Sequence, residues 1–430
     1  MKKDKFIIQG LGNKKFLSGE IKVNGAKNAV LPVMASAVLF KDGFNIKNVP
    51  FIEDLHRLDE IFKGLEIEMS EKAKGEYYIN TKKIKSREID EEASKKMRAS
   101  IIFSGPVLAR FGELIFPHPG GCVIGARPID LFLDGFEKMG AEIKHRDEKY
   151  FIKVKGGKLK GANIFFKIPS VTATETFIMA AVLAKGKTIL KNVAMEPEII
   201  SLIEWLNSCG AKIKGEGTPV LEIQGGSLLK AGNKIYKTIP DRLETGSFLI
   251  LGALCASNLK INNCNPSHLE IVTEMLKDAG VNMEIGKDYI KVNNKNLKNY
   301  KAFNIKTHEY PGFPTDLQSP TVIFLTQAKG ESFVFETIFE GRLNYTNDLV
   351  KMGADINLWD SHRATIKGPI GLKGRELEGP DIRTGFAFVI AALVAYKESI
   401  ISNVYYIDRG YENIEKRLSK IGADIKRTTE

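Results

Sequence analysis

Two kinds of helical pattern recur along this chain, distinguished by where their apolar residues fall. In the first kind nearly every position is apolar: AKNAVLPVMASAVLF, MRASIIFSGPVLARF, TATETFIMAAVLA, DRLETGSFLILGALCA, DLQSPTVIFLTQA and DIRTGFAFVIAALVA. A helix without a polar face predicts burial on all sides. The second kind, for instance PEIISLIEWLNSCG, keeps a polar face and belongs nearer solvent. It closes on a glycine mark, MGAEI (139–143), CGAKI (209–213), AGVNM (279–283), MGADI (352–356) or IGADI (421–425), with KGLEI (63–67) as a decayed sixth copy. Glycine after a helix and before an apolar run predicts a left-handed C-cap. Short β-branched runs such as KTILKNV, LKINNC, SFVFETI and SIISNV lie between and predict strands.

The marks set a period. Gly64, Gly140, Gly210, Gly280, Gly353 and Gly422 are 76, 70, 70, 73 and 69 residues apart, so six units of about 72 residues account for the 430-residue chain. Each unit reads β-α-β-α-β-β. One unit cannot cover a helix that is apolar all round, so units must pool these helices in a shared centre with sheets outside. Three units per globe predict two similar domains, joined near GGSLLKAGNK (225–234). A solenoid also repeats, but it does not need a fully buried helix in every unit.

Composition narrows the class. At 43% hydrophobic and 27% charged, the chain is an ordinary globular protein rather than a disordered or fibrous one. The longest apolar run, Phe386 to Tyr396, has 11 residues, against the roughly 20 of a spanning helix. The start, MKKDKFIIQGLG, lacks the apolar core of a signal peptide, so a cytoplasmic protein is expected, with no membrane association. Cys122, Cys209, Cys255 and Cys264 show no zinc spacing, and the six histidines form no ligand motif. Neither a metal nor a cofactor is expected. The net charge of +11 suits anionic partners. Basic residues are not interleaved with aromatics as in RNA-binding motifs, which argues against nucleic acid.

The most unusual segment is PGGCVIGARPID (119–130), a loop present in the second unit only. Its Gly120 and Gly125 have P-loop spacing, but Ala126 and Arg127 stand where Lys and Ser/Thr are needed, which argues against a nucleotide hydrolase. Cys122 sits five residues before Arg127, the electropositive setting of a reactive thiol. The other three cysteines lie in apolar contexts and read as buried structural residues.

A second clue is charge at helix starts. Lys27, Arg98, Arg242 and Arg383 fall in or near first turns, where the helix dipole disfavours a cation by some tenths of a kcal/mol. Asp241 and Asp381 could offset two of them; Lys27 and Arg98 have no adjacent acid. Such ends are ready anion sites. Thr172 and Glu175 in KIPSVTATET read as a capping box, leaving the Ser170 and Val171 amides to face a phosphate. Asp316, in FPTDLQ, occupies the position of Asp241 and Asp381 in neighbouring units, so both an N-cap role and a catalytic one fit it.

These residues carry a resemblance. GAKNAVLP, MRASI, PGGCVIGARPID, PDRLETG, FPTDLQ, DIR and DRGYE occur in order over the whole chain, which resembles the UDP-N-acetylglucosamine 1-carboxyvinyltransferase family, the enolpyruvyl transferases that open peptidoglycan synthesis. The resemblance implies a two-domain inside-out α/β barrel of six βαβαββ repeats, the enolpyruvyl transferase fold. Residues 1–24 plus 235–430 would form one domain and 25–234 the other, with the Cys122 loop as a lid. It implies transfer of the enolpyruvyl group of phosphoenolpyruvate to the 3-hydroxyl of UDP-N-acetylglucosamine by addition and elimination, releasing phosphate. Both substrates are the implied partners; no obligate protein partner is.

By the same resemblance Cys122 is the general acid and Asp316 accepts the hydroxyl proton. Lys27, Arg98, Arg127, Arg342, Arg383 and Arg409 form a cationic ring on phosphoenolpyruvate, Lys27 and Arg409 with catalytic roles. The UDP-sugar positions are Asn28; Arg127, Pro128, Ile129, Asp130 and Leu131; Lys167, Ile168, Pro169, Ser170 and Val171; Asp316; and Ile338. Cysteine rather than aspartate at 122 implies sensitivity to fosfomycin. Thr172, Thr176 and the LNYTN after Arg342 depart from the family pattern, and Thr172 could crowd the diphosphate. The related 3-phosphoshikimate 1-carboxyvinyltransferases lack the PGGC loop. A non-catalytic second copy, or a basic RNA-binding or RNA-end-processing protein on this fold, would have no use for Cys122.

Overall fold

Strands gather into six separate sheets among the described residues of the computed structural model, which are 4–12, 17–118, 129–294 and 300–429. One unit shows how the sequence builds each. Strand Asn163–Phe165 leads through helix Val171–Val182 to strand Lys187–Lys191, then through helix Pro197–Ser208 to Lys212–Lys214 and Val220–Gln224. The helical crossover makes the first two strands parallel, with Ile189 opposite Asn163, and the short turn makes the last two antiparallel. The four-stranded sheets repeat this order; in the three-stranded one a parallel bridge between Glu88 and Ile115 stands in for the first strand.

Three strands join sheets far from their own place in the chain. Ile235–Lys237 pairs in parallel with Phe44–Lys47, and Leu17–Lys22 with Ala256–Asn262. Asp4–Gln9 lies between Glu398–Ser402 and Ile425–Thr429, antiparallel to both. Two compact units result, one holding residues up to Asn24 and from Pro240 onward, the other Gly25–Ile239. The switch therefore falls at Pro240 rather than at residue 235, because the 235–237 strand is hydrogen-bonded inside the 25–239 unit.

Each unit has its own core of pooled helices. Every residue of helix Arg242–Cys255 is buried, and it packs against Gln318–Gln327 and Ile382–Val394, buried almost throughout. In the other unit Ser104–Phe111 packs on Val171–Val182. Helices lie inside and sheets outside, as the apolar patterns predict. Among the described residues the sheets stay separate, so no hydrogen-bonded barrel closes there.

Two buried patterns differ from single helices. MRASIIFSGPVLARF divides into a 3-10 turn, Arg98–Phe103, and an α-helix, Ser104–Phe111. Pro106 lacks the N–H that would bond the Ile102 carbonyl, so the regular ladder is interrupted there. AKNAVLPVMASAVLF forms Lys27–Ala35 and then a 3-10 turn, Ser36–Leu39. Gly140, Gly210, Gly280, Gly353 and Gly422 have φ between 90° and 109°, the left-handed caps that the marks predict. The sixth mark is displaced: helix Glu53–Gly64 runs through Gly64, and Glu66 takes the left-handed position at φ 59°. No helix among the described residues is long and apolar enough to cross a membrane.

Candidate active site

The three aspartates at parallel positions do not behave alike. Asp241 Oδ1 accepts from the amides of Leu243 (2.8 Å) and Glu244 (3.0 Å), and Asp381 Oδ1 from those of Arg383 (2.8 Å) and Thr384 (3.1 Å), so both are N-caps. Asp316 sits in a 3-10 turn, Thr315–Leu317, that leads into helix Gln318–Gln327. Its Oδ1 accepts from Arg342 Nη2 at 3.0 Å and its Oδ2 from Arg383 Nε at 2.9 Å. The arginine side chains are 3% and 5% exposed while the carboxylate is 26% exposed. The cations are thus buried behind an accessible acid, and two guanidiniums at hydrogen-bond distance favour its ionised form.

Both arginines are themselves held in place. Burial alone pushes a guanidinium pKa down, but Asp316 and further acidic groups, Asp381 and Glu336 for Arg342 and Asp241 for Arg383, raise both on balance. Arg342 Nη2 also reaches the Thr315 carbonyl at 3.4 Å, and its buried Nε has no hydrogen-bond partner among the described residues. Arg383 Nη1 donates to the Tyr411 hydroxyl at 3.4 Å, which meets Ser247 Oγ at 3.0 Å. Arg409 caps the short helix Val404–Asp408 and is half-buried. A Cβ added to Gly410 would lie 2.5 Å from Ile382 Cγ2 and 3.9 Å from Arg383 Nη1, so the Arg409 turn packs against the Arg383 turn. Asp408, next to Arg409, accepts both Arg427 Nη groups, at 2.8 and 2.7 Å.

Sequence reasoning missed Glu336. It is fully buried and accepts from Thr307 Oγ1 (3.0 Å), Thr315 Oγ1 (2.9 Å) and the amides of Ile338 (2.9 Å) and Phe339 (3.2 Å). A signal was present: strand Gly330–Phe335 alternates with Ser332 and Val334 inward, which puts an acid at the next inward position. Half-buried Ile338 hangs on this carboxylate through its amide.

In the 25–239 unit, Lys27 opens helix Lys27–Ala35 and pairs with Asp54 at 3.1 Å. The acid missing from its sequence neighbours comes from the first turn of Glu53–Gly64, so the dipole penalty is offset within the fold. Asn28 follows, half-buried. Ser170, not Thr172, caps helix Val171–Val182, its Oγ accepting from the Ala173 amide at 3.3 Å, so the expected capping box does not form. Glu175 is buried instead; desolvation, with Glu198 and Glu196 nearby, holds its carboxyl well above the usual range.

Lys167 and Ile168 are exposed, Ile168 at 70%, while Pro169, Ser170 and Val171 are half-buried. Ile129 is buried, and exposed Asp130 and half-buried Leu131 open helix Asp130–Lys138. Arg98 starts the 3-10 turn Arg98–Phe103; its side chain, and Cys122, Arg127 and Pro128 altogether, lie outside the described residues. Arg242 is buried, its guanidinium 5.4 Å from the Tyr310 ring centre. Cys209, Cys255 and Cys264 are buried as expected, and burial pushes the thiols of Cys255 to about 12 and Cys264 to about 11.

Six βαβαββ units around buried helices are the architecture of the enolpyruvyl transferase fold. The family described as EPSP synthase (3-phosphoshikimate 1-carboxyvinyltransferase) matches residues 12–418. The enolpyruvyl transferase NikO from Streptomyces tendae superposes with a TM-score of 0.89 at 20% identity, over 100% of both chains. EPSP synthase from Acinetobacter baumannii does so at 0.74 and 17%, over 99% of this chain and 100% of that one. Sequence relatives are closer. UDP-N-acetylglucosamine 1-carboxyvinyltransferase of Campylobacter hominis is 44% identical over 416 residues, and that of Thermodesulfovibrio yellowstonii 41% over 413, each covering 96% of this chain and 97% of the relative. The chain belongs to the UDP-N-acetylglucosamine 1-carboxyvinyltransferase family.

Proposed function

We propose that the protein transfers the enolpyruvyl group of phosphoenolpyruvate to the 3-hydroxyl of UDP-N-acetylglucosamine, the first committed step of peptidoglycan synthesis. The observation that carries the reading is the accessible Asp316 carboxylate bound by two buried arginines. An ionised carboxylate can take the hydroxyl proton as the sugar oxygen bonds to C2 of phosphoenolpyruvate. Cys122 protonates the methylene carbon, C3. The adduct then loses a proton from C3 to the thiolate, the C2–O bond to phosphate breaks, and inorganic phosphate leaves with the proton that Asp316 had taken from the hydroxyl.

Lys27, Arg98, Arg127, Arg342, Arg383 and Arg409 answer the phosphate and carboxylate of phosphoenolpyruvate, and fixed cations stabilise the phosphorylated adduct. Asn28, Arg127–Leu131, Lys167–Val171 and Ile338 receive the UDP-sugar. Both substrates are highly charged metabolites of the cytoplasm, which is where the reaction is placed.

The family description favours one competing acceptor, shikimate 3-phosphate. Phosphate release from phosphoenolpyruvate is measured with UDP-N-acetylglucosamine, with shikimate 3-phosphate and with neither, beside Cys122→Ala. Release that requires the UDP-sugar and collapses in the variant is expected. Release with shikimate 3-phosphate alone would move the protein to the other acceptor.

A further inference from the structure

Glu336 touches three segments, two of which the proposed reaction needs in register. One oxygen, Oε2, accepts from Thr315 Oγ1 at 2.9 Å, one residue before Asp316. The other, Oε1, accepts from the amides of Ile338 at 2.9 Å and Phe339 at 3.2 Å, in the turn assigned to the UDP-sugar, and from Thr307 Oγ1 at 3.0 Å. The side chain has no exposed surface. Four donors compensate a buried carboxylate, and such charge-assisted bonds are about twice as strong as neutral ones.

The backbone of Glu336 is fixed as well. Its amide donates to the His362 carbonyl at 2.8 Å, and its carbonyl lies 2.7 Å from His362 Nδ1, which must carry the proton because a carbonyl only accepts. Thr315 is in turn held from two sides, by Glu336 at its hydroxyl and by Arg342 at its carbonyl.

We infer that Glu336 is a positioning residue that locks the proton-accepting Asp316 and the Ile338 turn into one rigid frame, so that the acceptor hydroxyl and its base are placed together. The inference rests on the proposed role of Asp316. It divides the work of one carboxylate: Oε2 sets the base, and Oε1 sets the sugar-nucleotide turn. A displaced base costs turnover, because proton transfer needs hydrogen-bond reach. A displaced turn costs acceptor affinity.

Steady-state kinetics of Thr315→Val, Thr315→Ser, Glu336→Gln and Asp316→Asn separate these effects. Thr315→Val removes only the Oε2 branch and is expected to lower kcat roughly 10- to 100-fold with KM for UDP-N-acetylglucosamine unchanged, and Thr315→Ser should restore kcat. Glu336→Gln weakens both branches and should lower kcat and raise the KM for UDP-N-acetylglucosamine together, leaving the KM for phosphoenolpyruvate unchanged. Wild-type kcat in Thr315→Val, or no recovery in Thr315→Ser, would overturn the inference even if Glu336→Gln failed to fold. Full turnover in Asp316→Asn would instead sink the reading of Asp316 itself.

Discussion

At the residue scale, chemistry follows from which charges meet away from water. Asp316 meets Arg342, 26 residues on, and Arg383, 67 residues on. Asp316→Asn keeps the shape but removes the ionised acceptor, and kcat is expected to fall by roughly 10²-fold or more, read by acceptor-dependent phosphate release. Arg383→Lys keeps the charge but cannot present a planar fork to Asp316 and Tyr411 at once. Its kcat should fall at least tenfold while its unfolding temperature stays near wild type. Glu175 makes a prediction of a different kind. Burial beside Glu198 and Glu196 favours its neutral form in the fold, while the unfolded side chain ionises above about 4.5, so stability falls as pH rises from that value towards the raised folded pKa. Glu175→Gln should flatten that decline and raise the unfolding temperature at pH 7.5; a lower temperature there would contradict it. Local sequence made Asp316 resemble Asp241 and Asp381, but proline directly precedes those two while Thr315 separates Pro314 from Asp316, which lies inside a 3-10 turn instead of at an N-cap. The arrival of two distant arginines then sets its partners.

At the element scale, the buried helices were legible because a helix lacking a polar face has one outcome in water. Their close approach was not, since it depends on single side chains of neighbouring helices. A Cβ on Gly246, in helix Arg242–Cys255, would lie 2.4 Å from Leu317 Cδ1, and Leu317 follows Asp316 directly. Gly246→Ala is therefore expected to cost about 1–3 kcal/mol by overpacking, and to reduce kcat by displacing the Asp316 turn. Denaturant unfolding and turnover of the same preparation test the two effects together. The capping of Val171–Val182 shows how close patterns compete. Ser170 and Thr172 both suit an N-cap, and the chain enters the helix from extended backbone at Ser170, at φ −138° and ψ 118°.

At the scale of the whole molecule, the strand exchanges decide what each unit needs to fold. Asp4–Gln9 is an interior strand of its sheet, with Phe6 and Ile8 fully buried and Asp4 bound to Arg427 at 3.1 Å. Burying two such side chains contributes about 3–6 kcal/mol, a large share of a typical net stability of about 5–15 kcal/mol. Deleting residues 1–12 should leave the Glu398–Ser402 and Ile425–Thr429 strands without their shared partner, and hydrogen exchange of their amides should rise sharply. Unchanged protection there would show that the strand is dispensable.

The sequence by itself determined the six-fold period, the two helix classes and the left-handed glycine caps, since hydrophobic periodicity and backbone freedom act over a few residues. It also carried the family motifs, including the lysine, arginines and aspartate of the candidate site. Tertiary structure decided which strand closes each sheet, that Lys27 is answered by Asp54, that Asp316 faces arginines instead of capping a helix, and that Glu336 ties Thr315 to the Ile338 turn. Strand edges and buried charges must find partners, and the partner is whichever group the completed fold brings within hydrogen-bond reach, however far away it lies along the chain.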